Sequence, residues 1–556
     1  MKKCVQLCWN SPLYRHLLFF ILTLFVLLIY GYYFGTFDQI SHIPFLKKNI
    51  DPSLFPGDHF FDLRSSHYSY FWLLFIPFYI ANVLEPVMFA FYILSTYLTF
   101  WAIWKLSKTL FHNPLTTFLA TVASALPHIG FSGFPLFEFS LLNRTVVLPF
   151  ELFAFRFYLK KNYITTFLIL GILYNFHALS VHFVLVMIGA DMLIRLIKNK
   201  DIKPFLATPL FLITALPVLI WKFSHSGIQM KADWEWFTIL DKSVFAHLFN
   251  FISFSSPIVV LLTASGISVF ILFFIAIKNI PKSPLHDSVV HFMFGGMFVL
   301  LVQMCATMFF PLTIIIQSQI VRIGTFLSLF SYIYIAHLIS IHQKPRARFI
   351  GLVVCITMSF FPLFLLIPFL FWRIKNTKIF ILFSLGMVVL FISTLSILIS
   401  LNLARPGIHI WPEKTPFYKA QLWAKNNTPQ NALFITPPAK WWMYDVEWRV
   451  VSERSTVSTL SELLEGAFDP GYIQYWKPRF EDIAPGALSQ FKGNYLENLK
   501  ISNDAYYKNT TERFLFLAKK YNAQYLVVEK KHLYSLPLVY TNNEYSIYSL
   551  KYPTRE

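Results

Sequence analysis

Four aspartates and two histidines lie in one short polar segment, residues 35–64, between two apolar runs of the chain. They are Asp38, Asp51, Asp58, Asp62, His42 and His59. A carboxylate at a membrane surface can act as a general base for a hydroxyl group, and carboxylates can hold a divalent cation against a diphosphate. Asp38 follows the first apolar run almost directly, so we expect a helix end to fix its position at the membrane surface.

The same segment contains the run Gly-Asp-His-Phe-Phe-Asp, residues 57–62. On an α-helix Asp58 and Asp62 would share one face, because side chains four positions apart are neighbours. A loop outside the membrane also needs polar residues for solvation alone, and this explanation stays open for each aspartate. The fixed position of Asp38 favours a function for that residue.

A second candidate site begins with Glu138 and Arg144, which border another apolar run. Unpaired charge is costly at that depth. The two residues can pair with each other, or Arg144 can bind a phosphate while Glu138 binds a hydroxyl group or a metal ion. Both alternatives remain open from the sequence.

Two further positions carry polar groups into apolar sequence. His177, with His182 five residues later, lies deep in such a run, where it is either a functional residue or a histidine bonded to a helix carbonyl. Arg322 follows Gln319 at the start of a run, where a guanidinium can bind a lipid phosphate or extend to the headgroups without a catalytic role. The candidate catalytic residues are Asp38, Asp58 and Glu138; the candidate substrate-binding residues are His59, Asp62, Arg144, His177, Gln319 and Arg322.

The composition identifies the elements that must position these residues. The chain has 556 residues, of which 56% are hydrophobic and 13% charged, and its mean hydropathy is +0.55. Such a chain is a helical protein with many membrane spans, since long unbroken apolar runs do not fit the alternating strands of a membrane barrel. The net charge of +19 comes from short basic clusters between spans, so it records membrane orientation rather than nucleic-acid binding.

The basic clusters alternate with acidic or mixed loops at 35–69, 127–143, 223–246 and 311–322. The positive-inside rule places the basic clusters and the N-terminus in the cytoplasm, and it places segment 35–69 outside. No Walker loop, dinucleotide fingerprint, nucleophile elbow or HExxH zinc motif occurs in the sequence. A pump with its own ATPase is therefore excluded for this chain.

Two apolar stretches could cross the membrane either once or twice. Residues 162–197 are too long for one span, so we predict two short spans that meet near His177. Residues 349–372 have basic clusters at both ends; a single span would put the C-terminal region in the cytoplasm, whereas a hairpin around Pro362 would send it outside. We favour the hairpin because the other clusters obey the charge rule, which gives about 13 spans for residues 1–404.

Residues 405–556 have ordinary polarity and many turn signals. Helix-like segments, residues 417–425 and 513–521, alternate with strand-like segments. The expected strands are residues 432–436, 449–452, 524–529 and 544–550. This alternation predicts a small α/β domain, and the orientation of the last span predicts that it is extracytoplasmic.

Several short motifs resemble the GT-C-fold membrane glycosyltransferases and their uncharacterised bacterial relatives. They are Phe37-Asp38-Gln39 with His42 and Pro44, then Asp51-Pro52 and Pro56-Gly57-Asp58. The spacing of Glu138 and Arg144, His177, and Gln319 and Arg322 is similar, as are Trp423 to Pro429, Ala432 to Pro438, Arg449 and Arg454. The likeness extends over most of the chain but is loose.

The resemblance implies a transferase of the cell envelope that takes a sugar from a polyprenyl phosphate on the outer face of a bacterial inner membrane. It implies Asp38 as the catalytic acidic residue of the first outer loop, and Mg²⁺ or Mn²⁺ as a candidate cofactor. Many relatives carry a paired Asp-x-Asp or Glu-x-Asp motif where this chain has Asp38-Gln39, which puts a metal requirement in doubt. The alternatives are a transporter or flippase for a lipid-linked glycan, and a non-catalytic membrane partner subunit.

Overall fold

The computed structural model describes residues 2–131, 134–225, 233–243, 250, 256–370, 377–439 and 444–551, and most of these residues are helical. Helices occupy the apolar runs because a backbone in lipid must satisfy its own hydrogen bonds. The helices of the apolar part are α1 (Lys2–Asn10), α2 (Pro12–Tyr30), α3 (Gln39–Ile50), α4 (Ile76–Ile80), α5 (Leu84–Phe111), α6 (Pro114–Ala123), α7 (Asn143–Leu159), α8 (Tyr163–Asn199), α9 (Thr208–His225), α10 (Trp234–Ser243), α11 (Pro257–Ile277), α12 (Pro284–Phe309), α13 (Thr313–Gln317), α14 (Gly324–Ile341), α15 (Arg346–Met358), α16 (Pro362–Leu370) and α17 (Thr377–Ser400). Short 3₁₀ helices cover His59–Ser66, Trp72–Phe75, Phe205–Ala207 and Ile320–Ile323.

Within the described ranges, eight helical stretches are long and apolar enough to cross a bilayer. This finding confirms the predicted class, a helical protein with many membrane spans. It does not confirm the predicted count of about 13 spans. The stretches are Pro12–Tyr30, Leu84–Phe111, Tyr163–Asn199, Phe205–His225, Pro257–Ile277, Pro284–Phe309, Thr313–Ile341 and Lys378–Ser400.

Helix α8 reverses direction at His177, whose backbone angles of φ −153° and ψ 81° are not helical. The ring of Tyr158 lies 5.3 Å from the ring of Tyr163 at the start of α8. The hydroxyl of the same tyrosine donates to Asp191 over 2.8 Å near the end of α8. In a straight helix residues 163 and 191 would be about 40 Å apart. The two halves of α8 are therefore antiparallel and meet at His177, as predicted.

The stretch around Pro362 also folds back. The Arg348 guanidinium lies 4.9 Å from the centre of the Phe380 ring, and the rings of Phe360 and Phe391 are 6.1 Å apart. These two pairs, in the same order along both helices, show that α15 and α17 run parallel, so the chain between them returns as in the predicted hairpin. The end of this segment, with Arg373 and Lys375, and parts of the predicted loops 127–143 and 223–246 lie outside the described residues.

The C-terminal region contains a five-stranded sheet of order β4-β3-β5-β7-β6, with β3 parallel to β4 and β5, and β7 antiparallel to its neighbours. The strands and helices agree with the predicted α/β class. The strands are β3 (Leu433–Ile435), β4 (Ser455–Thr456), β5 (Tyr525–Glu529), β6 (Leu538–Thr541) and β7 (Tyr545–Ser549). The helices are α18 (Pro416–Asn427), α19 (Trp448–Ser452), α20 (Glu462–Gly466), α21 (Tyr472–Ile483), α22 (Ala487–Gln490), α23 (Tyr495–Tyr507) and α24 (Thr511–Tyr521).

One strand prediction in this region is wrong, because residues 449–452 form the helix α19. The Glu447 side chain accepts a hydrogen bond from the backbone N–H of Arg449 and so caps the helix. The Arg449 side chain then turns into the interior, where it is fully buried. The residue types of this run favour a strand, but the capping bond from Glu447 and the buried ion pairs of Arg449 stabilise a helix instead.

The C-terminal region packs directly on the first polar segment. Strand β1 (Tyr32–Tyr33), just after the first span, pairs in parallel with β2 (Ile408–His409), just after the last span. The Lys47 ammonium contacts the Glu453 carboxylate at 2.7 Å. Segment 35–69 and residues 405–551 therefore lie on the same side of the membrane.

A buried ion cluster, the Arg449 cluster, joins the two parts. The Arg449 guanidinium contacts Asp58 at 2.8 Å, Glu462 at 2.8 Å and Glu447 at 3.2 Å, and each of these side chains is at most 5% exposed. Burial raises the pKa of Glu447 to about 7, although the positive charge of Arg449 opposes this. The cluster ties the first polar segment to the C-terminal domain.

Candidate functional site

Asp38, Glu138 and Arg144 form one ion-paired bridge. The Arg144 guanidinium donates from Nη1 to Asp38 over 2.6 Å and from Nε to Glu138 over 2.6 Å. The exposed fractions are 24% for the Asp38 side chain, 15% for Arg144 and 11% for Glu138. The pairing of Glu138 with Arg144 that the sequence left open is therefore present, and Asp38 joins it.

Local backbone geometry aims the Asp38 carboxylate at this bridge. Phe37 adopts the left-handed conformation (φ 54°), which turns the chain sharply before α3. Asp38 occupies the N-cap position of α3, but its side chain makes no capping bond and stays available for Arg144. Asp38 thus sits at the start of a separate helix outside the membrane rather than on the tip of the first span.

The electrostatics of Asp38 keep it ionised. Burial alone would raise its pKa, but the positive charges of Arg144 and Arg322 outweigh burial and lower the pKa below the usual value of an aspartate. An ionised carboxylate is the form that can accept a proton. While Arg144 holds it, however, Asp38 is a weak base.

Arg322 brings a second guanidinium to the bridge. Gln319 also adopts the left-handed conformation (φ 41°) and starts the 3₁₀ turn that carries Arg322. Arg322 forms no ion pair with a described residue, and its guanidinium lies 5.0 Å from the centre of the Phe134 ring. Four buried polar atoms in this group have no hydrogen-bond partner among the described residues: Glu138 Oε2, Arg144 Nη2, Gln319 Oε1 and Arg322 Nε.

A cavity of about 460 Å³ opens beside these groups. Asp38, Arg144, His177, Gln319 and Arg322 all line it. Glu138 lines a smaller adjoining cavity of about 70 Å³, together with Arg144, His177 and Arg322. The structure therefore brings six of the nine candidate residues to one place.

One wall of the larger cavity is apolar. It includes Leu179 from α8, Val218 and Leu219 from α9, and Ile314 from α13. The stretch that contains α9 is only 17% buried within the protein, so most of its surface faces lipid. The charged groups thus share the cavity with apolar side chains that suit contact with a hydrocarbon chain.

The other end of the cavity is formed by residues that we did not select from the sequence. His42 stacks on Trp72 at 4.6 Å, and His67 pairs with Glu465 of the C-terminal domain. Burial lowers the pKa of His42 to about 4, so its imidazole is neutral. Burial alone would raise the pKa of Glu465, but the adjacent His67 lowers it overall. His42 was visible as a polar residue near Asp38, whereas no local pattern marks Glu465.

Three candidate residues lie away from the cavity. Asp58 is buried against Arg449, and His59 pairs with Asp62 on the surface at 2.8 Å, with 56% and 76% of the two side chains exposed. The expectation that Asp58 and Asp62 share a face is wrong, because residues 59–66 form a 3₁₀ helix with three residues per turn. Asp58 caps this helix and points inward.

The cavity does not fit a divalent cation held by the protein. Asp38 and Glu138 both point at Arg144, and within the described ranges no three His, Cys, Asp or Glu side chains group as metal ligands. A cation would compete with the guanidinium for the same oxygens.

Fold and site together define a polytopic helical membrane protein with a charged cavity between its spans and its outer segments. No protein-family model matches the sequence, and no curated protein gives a significant match. Among solved structures, ArnT from Cupriavidus metallidurans in the apo state is similar, with a TM-score of 0.44 and 11% identity over 96% of this chain and 97% of that one. The same protein bound to undecaprenyl phosphate gives a TM-score of 0.42 and 11% identity over 97% of each chain. At these values the likeness does not define the activity of this chain.

Proposed function

We propose that this chain is a membrane glycosyltransferase that moves a sugar from a polyprenyl-phosphate donor to an acceptor hydroxyl. The observation that carries the proposal is the unpaired, buried Nε–H of Arg322 beside the bridge of Arg144 and Asp38. Guanidinium groups with free donors recognise phosphate, and an ionised carboxylate beside them can serve as base. The two functions that such a transfer needs therefore meet in one cavity.

Phosphate binding would also activate the base. Arg144 shares its charge between Asp38 and Glu138, and its Nη2 has no partner among the described residues. A phosphate that takes up the free donors of Arg144 and Arg322 adds negative charge close to Asp38. Nearby negative charge raises the pKa of a carboxylate, so Asp38 becomes a stronger base only when the donor is bound.

The reaction then follows from the positions of these groups. The acceptor hydroxyl gives its proton to Asp38, and its oxygen attacks the anomeric carbon of the sugar. The bond between that carbon and the phosphate oxygen breaks, and the electron pair stays on the lipid phosphate. Arg144 and Arg322 stabilise the developing charge, which is the main electrostatic contribution expected of such a site.

The donor class follows from the apolar wall. A polyprenyl chain cannot leave the bilayer, so its phosphate must enter the cavity sideways while the tail stays among the helices. The residues of α8, α9 and α13 in that wall supply an apolar path. The sugar and the acceptor, whether glycan, lipid or protein, are to be identified by assay against a panel of polyprenyl-phosphate sugars.

The sidedness of the site is part of the proposal. Basic clusters between the spans predict a cytoplasmic N-terminus and an extracytoplasmic C-terminal domain. Segment 35–69 and the C-terminal domain contact each other. This contact supports the proposal that both lie in the same, outer compartment. In a bacterium the reaction would then take place on the outer face of the inner membrane.

The proposal predicts that the Arg322 charge binds lipid phosphate. Arg322→Gln should weaken binding of undecaprenyl phosphate to the purified protein in nanodiscs by about 10-fold or more, as expected for a lost charged hydrogen bond of ~1.5–3 kcal/mol. Arg346→Gln is the matched control, because Arg346 is exposed at the far end of its span. Equal binding by wild type and Arg322→Gln would contradict the proposed phosphate site.

A further inference from the structure

A buried acid borders the smaller cavity and has a single polar partner among the described residues. Glu151 of α7 is 1% exposed, and Oε1 of its carboxyl lies 2.5 Å from the Ser180 hydroxyl oxygen. No described cation pairs with it. A carboxyl in such apolar surroundings is neutralised by a proton rather than left charged.

Ser180 connects this acid to His177. The Ser180 hydroxyl oxygen is 2.6 Å from His177 Nδ1. The backbone N–H of Ser180 also donates to Nδ1 over 3.3 Å. These contacts form a short chain from Glu151 through Ser180 to the imidazole of His177, the residue at which α8 reverses direction.

The backbone N–H of Ser180 fixes the directions of these hydrogen bonds, because it can donate but cannot accept. A backbone N–H can only donate, so Nδ1 must accept and the ring proton of the neutral imidazole sits on Nε2. The Ser180 hydroxyl then donates to Nδ1, and its oxygen accepts from Glu151. This requires a protonated Glu151, in agreement with its burial.

The second ring nitrogen of His177, Nε2, is available for binding at the site. Nε2 makes no hydrogen bond with a described residue, and His177 lines both cavities beside Arg144 and Arg322. The acidic side chains that line these cavities are Asp38 and Glu465 in the larger one and Glu138 and Glu151 in the smaller one. Asp38 and Glu138 are held by Arg144. An Nε2–H donor on this ring is available to a phosphate that the two arginines hold in the same cavities.

We infer that Glu151 and Ser180 are positioning residues that keep His177 as a donor to the leaving phosphate and supply it with a proton. This inference rests on the proposed function. As the bond between sugar and phosphate breaks, Nε2–H gives its proton to the phosphate oxygen. The Ser180 hydroxyl proton moves to Nδ1 and the Glu151 proton moves to Ser180, so Glu151 ends as a carboxylate. The acceptor proton is then on Asp38, so the number of protons in the site is unchanged. After the products leave, Asp38 releases its proton to water, and a proton from water enters at His177 Nε2 and passes back through Ser180 to Glu151.

Histidine ¹⁵N NMR of the protein in nanodiscs tests the inference without turnover. We expect a neutral His177 with the proton on Nε2, assigned by its loss in His177→Gln. Ser180→Ala keeps the backbone donor but removes the hydroxyl that bonds to Nδ1. The proton should therefore stay on Nε2, while undecaprenyl phosphate should bind several-fold more weakly because the ring is held less firmly. Ser268→Ala is the matched control, since Ser268 is a buried serine that bonds only within its own helix. A wild-type His177 with its proton on Nδ1, or unchanged binding of undecaprenyl phosphate by Ser180→Ala, would overturn the inference.

Measurement of kcat in a Glu151 variant separates the two roles of this residue, which are to position His177 and to supply it with a proton. In Glu151→Gln the amide can still donate to Ser180 but has no acidic proton to give. We expect an unchanged tautomer and lipid-phosphate Kd but a kcat about 10²-fold lower, the usual contribution of a general acid. Wild-type kcat in this variant would refute proton supply. If the wild-type protein transfers no sugar at all, the proposed function fails, and the NMR and binding results still decide the assignment of His177.

Discussion

At the scale of single residues, the site depends on how Arg144 divides its charge. It holds both Asp38 and Glu138 at 2.6 Å, so neither acid is free while the cavity lacks a phosphate. This arrangement protects the base from reacting with water or with an acceptor that arrives first. It predicts ordered binding, with the lipid donor before the acceptor.

Replacement of Asp38 should separate catalysis from binding. Asp38→Asn keeps the size of the side chain but removes the proton acceptor, so transfer should fall by at least about 10²-fold. Binding of undecaprenyl phosphate should persist, because both arginines remain. Asp62→Asn is the matched control, since Asp62 is 76% exposed and lies outside the cavity. Wild-type turnover by Asp38→Asn would remove this residue from the mechanism.

The sequence was sufficient to select residues whose polarity conflicts with their surroundings. Asp38, Arg144 and Arg322 stand at the edges of apolar runs, where charge is costly unless it has a task. The sequence favoured Asp38 by its position but could not exclude Asp58, because the burial of Asp58 depends on Arg449, nearly four hundred residues later. Glu151 was missed, since a lone acid within a helix has no motif and acquires meaning only from Ser180.

At the scale of elements, two reversals and one cluster build the site. The turn of α8 at His177 places a ring at the level of Arg144, and the hairpin after α15 brings the last span back beside the first. The Arg449 cluster then fixes the first polar segment against the C-terminal domain. Hydrophobic patterning and charge predicted both reversals, but the cluster and the helix α19 needed long-range contacts.

Removal of Arg449 should loosen this attachment. Arg449→Met leaves Asp58, Glu447 and Glu462 buried without their cation, which typically costs about 3–5 kcal/mol. Hydrogen–deuterium exchange in residues 445–480 should then rise by roughly 10²–10³-fold. Lys477→Met is the control: its partner Glu235 is 68% exposed and Lys477 itself 45%, so the loss should stay below about 1 kcal/mol. Equal exchange in both variants would show that the cluster does not fix the domain.

At the scale of the whole molecule, segment 35–69, which contributes Asp38 to the cavity, lies on the same side of the membrane as the C-terminal domain. The common side follows from the pairing of β1 with β2 and from contacts such as Lys47 with Glu453. Which compartment this is rests on the charge pattern of the sequence. The fold class could be predicted from composition, whereas the joining of Glu465 to the cavity could not.

Labelling in intact cells tests the orientation. In a background without Cys4 and Cys305, which are exposed, Lys500→Cys should react with an impermeant maleimide, because Lys500 is exposed on α23. Lys282→Cys, in a predicted cytoplasmic loop, should react only after lysis. The reverse pattern would place the C-terminal domain in the cytoplasm.

The pairing of Tyr32 with Ile408 has a consequence for how the protein matures. The strand after the first span stays without its partner until the ribosome has made the last span and the chain beyond it has crossed the membrane. A nascent chain stopped before residue 405 would insert its helices yet leave its chamber without Glu465. Under the proposed function and orientation, premature termination late in the gene should thus yield a stably inserted but inert protein, and translocation of the C-terminal region is the step that completes the site.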